Sequence, residues 1–413
     1  MLTVFKKRPS IVVEAQKAKF KPNIIIQTLI FIVVFFASQL LVGIPIGIYS
    51  AVLTFRDGFS GNIPLDPLGN PTAEYIANIQ NEMMLPSLIL TFITTIVAIL
   101  YCKLIEKRSL YSMGFVRKKA VTDYLIGAGL GVLMLGLALL ISFLCGTVKY
   151  EGFVLGGGIG LLLLFLLGFI LQGMSEEVLV RGYYMISVSA RHSILLAVIS
   201  NSVIFALLHI LNNGIDVLPL INLTLFGIFA SLYTLKTNSI WGICALHTTW
   251  NFAQGNIFGI RVSGIETPVT LFSFSLNDEG SLINGGSFGL EGGLAVTIVL
   301  VLGTIILLSM KGRGLDYELV DQGNNDKDNN VTPEIAATSD LATETETSAD
   351  LATQTGTTAD TATDMATETD TDTDIATEND TQTDANTDID TDTNTQTDAN
   401  VDADNDTQTD SVQ

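Results

Sequence analysis

Three stretches of this chain place acid–base side chains inside apolar sequence. MSEEVLVRGYY, residues 174–184, ends a long apolar run, sets Glu176 beside Glu177 and puts Arg181 four positions after Glu177. FALLHI carries Phe205 and His209, and HTTWNF carries His247 and Asn251. Charge is expensive in or near lipid, so an ionisable residue within a membrane segment points to function by default. Positions four apart share one face of a helix. Glu177 and Arg181 can therefore pair, and His247 and Asn251 can point together into one cavity. Glu176 lies about 100° round the helix from Glu177, free to face something else. Carboxylates and neutral imidazoles supply general acid–base chemistry, and two Glu with two His could also ligate zinc. The same residues could instead tie a bundle together or line a proton pathway. The third histidine, His192, sits beside Arg191 at a predicted turn and reads as a surface residue.

These side chains need membrane helices to hold them. A span of the roughly 30 Å hydrocarbon core takes about 20 apolar residues. Eight candidate segments lie near 24–53, 84–105, 123–145, 154–175, 193–211, 217–235, 240–257 and 293–310. The first is over-long and contains Pro45, and the sixth and seventh are separated only by KTNS. Basic residues cluster at the N-terminus and in the connection after the second segment, which holds Lys103, Lys107, Arg108, Arg117, Lys118 and Lys119. Arg191, Lys236, Lys311 and Arg313 fall on the same side, whereas the opposite loops at 57–83, 146–153, 212–216 and 258–292 hold only Lys149 and Arg261. The positive-inside rule then puts both termini in the cytoplasm.

Composition divides the chain in two. It is 48% hydrophobic yet carries a net charge of −21. From Leu315 to the end there are 27 acidic residues and one lysine, which leaves 15 acids and 20 bases before that point. A mildly basic membrane domain thus precedes an acidic tail of degenerate Thr-Asp repeats, too poor in apolar bulk to offset its ordering entropy. The tail is expected to be disordered. Cys102, Cys145 and Cys244 show no metal-ligand spacing and read as small hydrophobes. The basic N-terminus leads into an apolar run too long for a signal-peptide core, so no cleaved leader is expected.

The depths of the polar residues have to agree if they form one site. Should the fourth helix continue through VLVRGYYMISVSA, Glu176 lies about 15 residues before the turn at 191–192 and His209 about 17 after it, so both sit roughly 24 Å from that turn. His247 and Asn251 lie roughly 13–20 Å in from the turn at 236–239. One site at moderate depth is therefore expected, together with a long fourth helix.

The ordered set of Glu176, Glu177 and Arg181, then Phe205 and His209, then His247 and Asn251, with Asn222 between, resembles the CPBP family over roughly residues 125–256. These are the CaaX-processing and bacteriocin-processing intramembrane proteases, also called the Abi family. The resemblance implies an intramembrane endopeptidase acting on membrane-associated proteins or peptides. It implies Glu176 as the base that activates water, His209 as the group that holds or polarises the water, and His247 and Asn251 as oxyanion stabilisers. Glu177 and Arg181 would orient the helix, with Phe205 and Asn222 in support. Zinc stays an open expectation, with Glu176, His209 and His247 as candidate ligands. The alternatives are a non-catalytic scaffold or bacteriocin-immunity protein on the same fold, and a transporter, against which no inverted repeat is seen.

The expected architecture is an all-α polytopic membrane helix bundle of about eight transmembrane helices. Its parts are a cytoplasmic basic N-terminus (1–22), two N-terminal spans with their loops (23–122), a catalytic helix bundle (123–257), an extracytoplasmic loop (258–292), a last span (293–314) and the tail (315–413). The expected setting is the cell membrane of a bacterium. The lipid bilayer and a membrane protein or peptide are the expected partners, nucleic acid is not, and the oligomeric state is left open.

Overall fold

Apolar runs become separate helices only where the chain can turn, and the computed structural model places those turns. It describes residues 3–313 and the pair 317–318. These fall in the first of two units, Met1–Asp328. The expected disordered tail lies outside the described residues. The main helices are α1 (Ile24–Phe59), α2 (Ala73–Glu106), α3 (Ala120–Leu144), α4 (Gly158–Arg191), α5 (Ile194–Leu207), α6 (Val217–Thr237), α7 (Trp241–Phe252) and α8 (Leu294–Ser309). Two strands, β1 (Val148–Phe153) and β2 (Phe272–Leu276), pair antiparallel, with an irregularity between Tyr150 and Gly152.

Every predicted apolar segment falls on a helix, but the count of eight spans is not reproduced. Among the described residues, α1, α2, α3, α4 and α6 are long and apolar enough to cross a membrane. α5 and α8, with 14 and 16 residues, reach only about 21 and 24 Å at 1.5 Å per residue. α5 stops because residues 208–214 form turns. α7 is shorter still and runs on through a π-helical segment, Ala253–Ile257. One other boundary differs from expectation and one agrees with it. α2 begins at Ala73, inside the predicted loop 57–83, and α4 runs unbroken to Arg191, which is the long fourth helix that a level site requires. Large apolar side chains on α1, among them Ile25, Val33 and Phe55, face outward, as lipid-facing positions do.

The loops separate onto two ends as the charge pattern predicts. At one end the Arg8 guanidinium donates to the carbonyls of Ser189 and Ala190, and Asn238 binds both Ser10 and the Ile11 amide. Asn238 also ends α6 in the left-handed conformation, with φ 54°, which Asn tolerates better than most residues. The Arg313 amide donates to the Lys236 carbonyl at the same end. At the other end the Asn284 side chain donates to the carbonyls of Thr147 and Asn277, and Asn212 donates to the Ser263 carbonyl. Arg108 is the exception. Expected as a loop charge, it is buried in an ion pair with Glu106 at 2.6 Å, both side chains almost wholly enclosed.

α7 is the centre of the bundle, and glycines let its neighbours close on it. A Cβ on Gly127 of α3 would lie 1.8 Å from the Gly242 carbonyl oxygen, and one on Gly131 would lie 2.4 Å from that of Leu246. Small residues four apart allow such backbone approach between membrane helices. Because the obstruction is backbone, Gly127→Ala has to push α3 from α7. The expected cost is at least the roughly 1–3 kcal/mol typical of overpacking, read as a lower unfolding temperature in detergent. A melt unchanged from the parent would refute this contact.

Candidate active site

The predicted site residues come from α4, α5, α6 and α7 and from the turn that follows α5. α4 supplies Glu176, Glu177 and Arg181, α5 supplies Phe205 and leads into the turn with His209, α6 supplies Asn222, and α7 supplies His247 and Asn251. α4 approaches α7 closely because residue 173 is glycine: a Cβ there would meet the Thr248 amide nitrogen at 2.9 Å. The two glutamates that follow are thereby carried up against His247.

Within α4, residues Val178–Met185 are π-helical. A π-segment inserts one extra residue into a turn and leaves carbonyls without their usual i+4 partners, and such segments recur at functional sites. Here the Arg108 Nη2 approaches the carbonyls of Gly182 and Tyr183 at 3.3 and 3.4 Å. Arg108 is held by Glu106, which in turn accepts from Gln27 and Ser187. The register of the helix that carries Glu177 and Arg181 thus rests on groups from α1, α2 and the connection after α2.

Glu177 is the hub. Its Oε1 accepts from Arg181 Nη1 at 2.8 Å and from His247 Nδ1 at 2.9 Å. Glu177 and Arg181 have no exposed side-chain surface. The Arg181 guanidinium carbon lies 4.4 Å from the Phe205 ring centroid and 5.9 Å from that of Phe226, so two π systems flank a guanidinium whose Nε and Nη2 have no hydrogen-bond partner among the described residues. The carboxylate has no proton to give, so Nδ1 of His247 carries the hydrogen and Nε2 is left to face the cavity.

Glu176 points elsewhere, as the 100° offset predicts. Its side chain is 31% exposed, and its Oε2 lies 3.7 Å from His247 Nε2. That oxygen is buried and has no hydrogen-bond partner among the described residues. The other, Oε1, accepts from Gln172, whose own Oε1 accepts from Asn251 Nδ2 at 3.1 Å. His209 donates from Nδ1 to the Phe205 carbonyl at 2.8 Å, which leaves its Nε2 available. Its ring lies 4.9 Å from that of Phe205.

Glu176, His209, His247 and Asn251 all line one cavity of about 230 Å³. Phe205 and Asn222 line it too, whereas Glu177 and Arg181 sit behind His247. Asn222 ties α6 to α8: it donates to the carbonyls of Glu291 and Gly293 and accepts from Thr297. Three participants escaped sequence reading. Gln172 lies one helical turn before Glu176 on the same face, and that spacing was the available signal. Trp250 and Glu291 carried none, because they meet only in the fold. Glu291 accepts from Trp250 Nε1 at 3.0 Å and from the Ser263 amide and hydroxyl at 2.8 and 2.7 Å. Val262, Ser263, Ile265 and Glu291 line the cavity, so the connection at 258–292 walls the site.

A metal site needs several donors converging on one point. Among the described residues no three His, Cys, Asp or Glu side chains are grouped so as to hold one. Of the three candidate ligands, Glu176 and His247 approach each other at 3.7 Å.

Residues 158–253 match the Rce1-like family, described as type II CAAX prenyl endopeptidase Rce1-like. This bears out the CPBP resemblance, and the matched segment spans α4 to α7 with all eight predicted site residues. α1 to α3 and α8 lie outside it. No curated protein and no solved structure matches the chain. Its apolar helices and this family match mark it as a multi-pass membrane protein.

Proposed function

We propose that this chain is an intramembrane endopeptidase that hydrolyses peptide bonds of membrane-associated proteins or peptides. The observation that carries this reading is the convergence of Glu176, His209, His247 and Asn251 on one cavity inside the helix bundle, with one oxygen of Glu176 left without a hydrogen-bond partner among the described residues. The Glu176 carboxylate takes a proton from a water as the water oxygen attacks the scissile carbonyl carbon. His209 Nε2 holds that water. The carbonyl oxygen becomes an oxyanion, stabilised by the Asn251 amide and by His247 when Nε2 is protonated. The C–N bond then breaks, and Glu176 returns its proton to the leaving amine. Glu177 and Arg181 act behind this, fixing the orientation of His247. The end of the bundle that gathers Arg8, Lys236 and Arg313 is the cytoplasmic one in this reading. A non-catalytic scaffold would account for the buried Glu177–Arg181–His247 cluster but gives no role to the free oxygen of Glu176.

The test is cleavage in liposomes holding total membrane peptides, read by mass spectrometry with and without a chelator. Peptides released by the parent protein are expected to be lost in Glu176→Ala and His209→Ala. Equal release by all three proteins at equal protein level would sink the reading. Loss of release on chelation would show that a metal takes part.

A further inference from the structure

On the side of α8 turned away from the catalytic cavity, α3, α6 and α8 enclose an apolar trough of about 520 Å³. The geometry points to a binding site for a single phospholipid with an anionic, hydroxyl-bearing headgroup. This rests on no assumption about catalysis. The trough follows α3 from Asp123 to Ile141, about 27 Å at 1.5 Å per residue. That is more than the half-thickness of a roughly 30 Å hydrocarbon core, so an acyl chain entering from one end is accommodated. Its rims are exposed aliphatic side chains, among them Leu133 at 55% and Leu302 at 54%. Phe229 lies between them, and at residue 303 a glycine adds no side chain where a Cβ would approach Phe229 and Met134 at 3.1–3.3 Å.

One end of the trough is polar. Lys236, Lys311 and Arg313 line it against a single acid, Asp123. Lys236 donates to the carbonyls of Leu308 and Met310, which leaves one of its three N–H groups. Arg313 donates to Asp123 Oδ1 at 2.7 Å with its side chain 43% exposed. The surplus of positive charge fits a phosphate at headgroup depth. The second oxygen of Asp123 supplies the independent signal: the residue is 3% exposed, and Oδ2 has no hydrogen-bond partner among the described residues. A buried carboxylate oxygen left unpaired calls for a donor, and a headgroup hydroxyl beside the phosphate provides one. Phosphatidylglycerol has both features, phosphatidate lacks the headgroup hydroxyl, and phosphatidylcholine lacks both the net charge and the hydroxyl.

The full-length protein in detergent would be exchanged with equal amounts of these three lipids bearing identical chains, and the retained lipid read by native mass spectrometry. Phosphatidylglycerol is expected to be retained over phosphatidylcholine by about fivefold or more. Lys311→Gln with Arg313→Gln is expected to bring the two to near parity. Asp123→Asn is expected to keep the anionic preference while losing the preference for phosphatidylglycerol over phosphatidate. Leu133→Trp, which puts bulk in the trough without touching the charges, is expected to lower retention of all three. Equal retention of phosphatidylglycerol and phosphatidylcholine by the parent protein overturns the proposal. So does a preference unchanged by the double Gln substitution, or a full lipid complement on Leu133→Trp.

Discussion

Glu176→Gln is expected to give a protein that folds like its parent and has lost at least two to four orders of magnitude in peptide-bond hydrolysis, the range a general base supplies. Gln keeps the size of the side chain and can still bond Gln172, so the chain of amides to Asn251 survives. What it cannot do is accept a proton from water. Glu176 is partly exposed to the cavity and makes no close ion pair: its nearest cation candidate is His247 Nε2 at 3.7 Å. The stability change should therefore stay within the few tenths of a kcal/mol usual away from buried networks, about 0.5 kcal/mol. Turnover and thermal unfolding are to be measured on the same preparation. Retained turnover would remove Glu176 from the mechanism. Lost turnover with a lowered melting temperature would say only that the helix had been disturbed.

Glu177→Ala should behave in the opposite way, destabilising first and inactivating as a consequence. Arg181 is wholly buried, and its ion pair is Glu177 Oε1. Removing the carboxylate leaves a guanidinium uncompensated in a low-dielectric interior, a change that costs roughly 3–5 kcal/mol. It also frees His247 Nδ1, whose orientation Glu177 sets. Adding Arg181→Met removes the stranded charge, because an apolar replacement of a buried pair is often close to neutral. The double variant is expected to recover most of the lost stability and none of the lost turnover. Unfolding in detergent, run as a double-mutant cycle, reads the first quantity, and peptide release reads the second. Recovery of both would show that Glu177 serves the fold alone. Recovery of neither would mean that Arg181 contributes through its stacking on Phe205 as well as through its charge.

The contrast between adjacent glutamates was legible in sequence for a simple reason. Helical periodicity assigns neighbouring residues to different faces, and Arg181 four positions after Glu177 marks which face is paired. The same arithmetic, 1.5 Å per residue, placed Glu176 and His209 at one depth once α4 was allowed to run to Arg191. The positions of Arg108 and Glu291 were not legible. Both are charged residues in connections, where solvent exposure is the ordinary expectation. Only packing shows that Arg108 is enclosed with Glu106 against the carbonyls of the π-helical segment. Likewise, only packing brings the 258–292 connection over the cavity, with Glu291 bonded to Trp250.

What the sequence determined by itself is therefore what repeats along a single helix: the apolar segments, the alternation of basic and base-poor loops, and the faces shared by Glu177 with Arg181 and by His247 with Asn251. These depend on local geometry and on the cost of charge in lipid, both of which act residue by residue. The tertiary structure alone decided which segments reach span length, and that Glu177, not Glu176, grips His247. It alone placed Gln172 between Glu176 and Asn251 and gave α8 a second, lipid-sized trough. Those outcomes depend on how closely helices approach, and that distance is set by glycines such as Gly127, Gly131 and Gly173 meeting a backbone more than a hundred residues or several helices away.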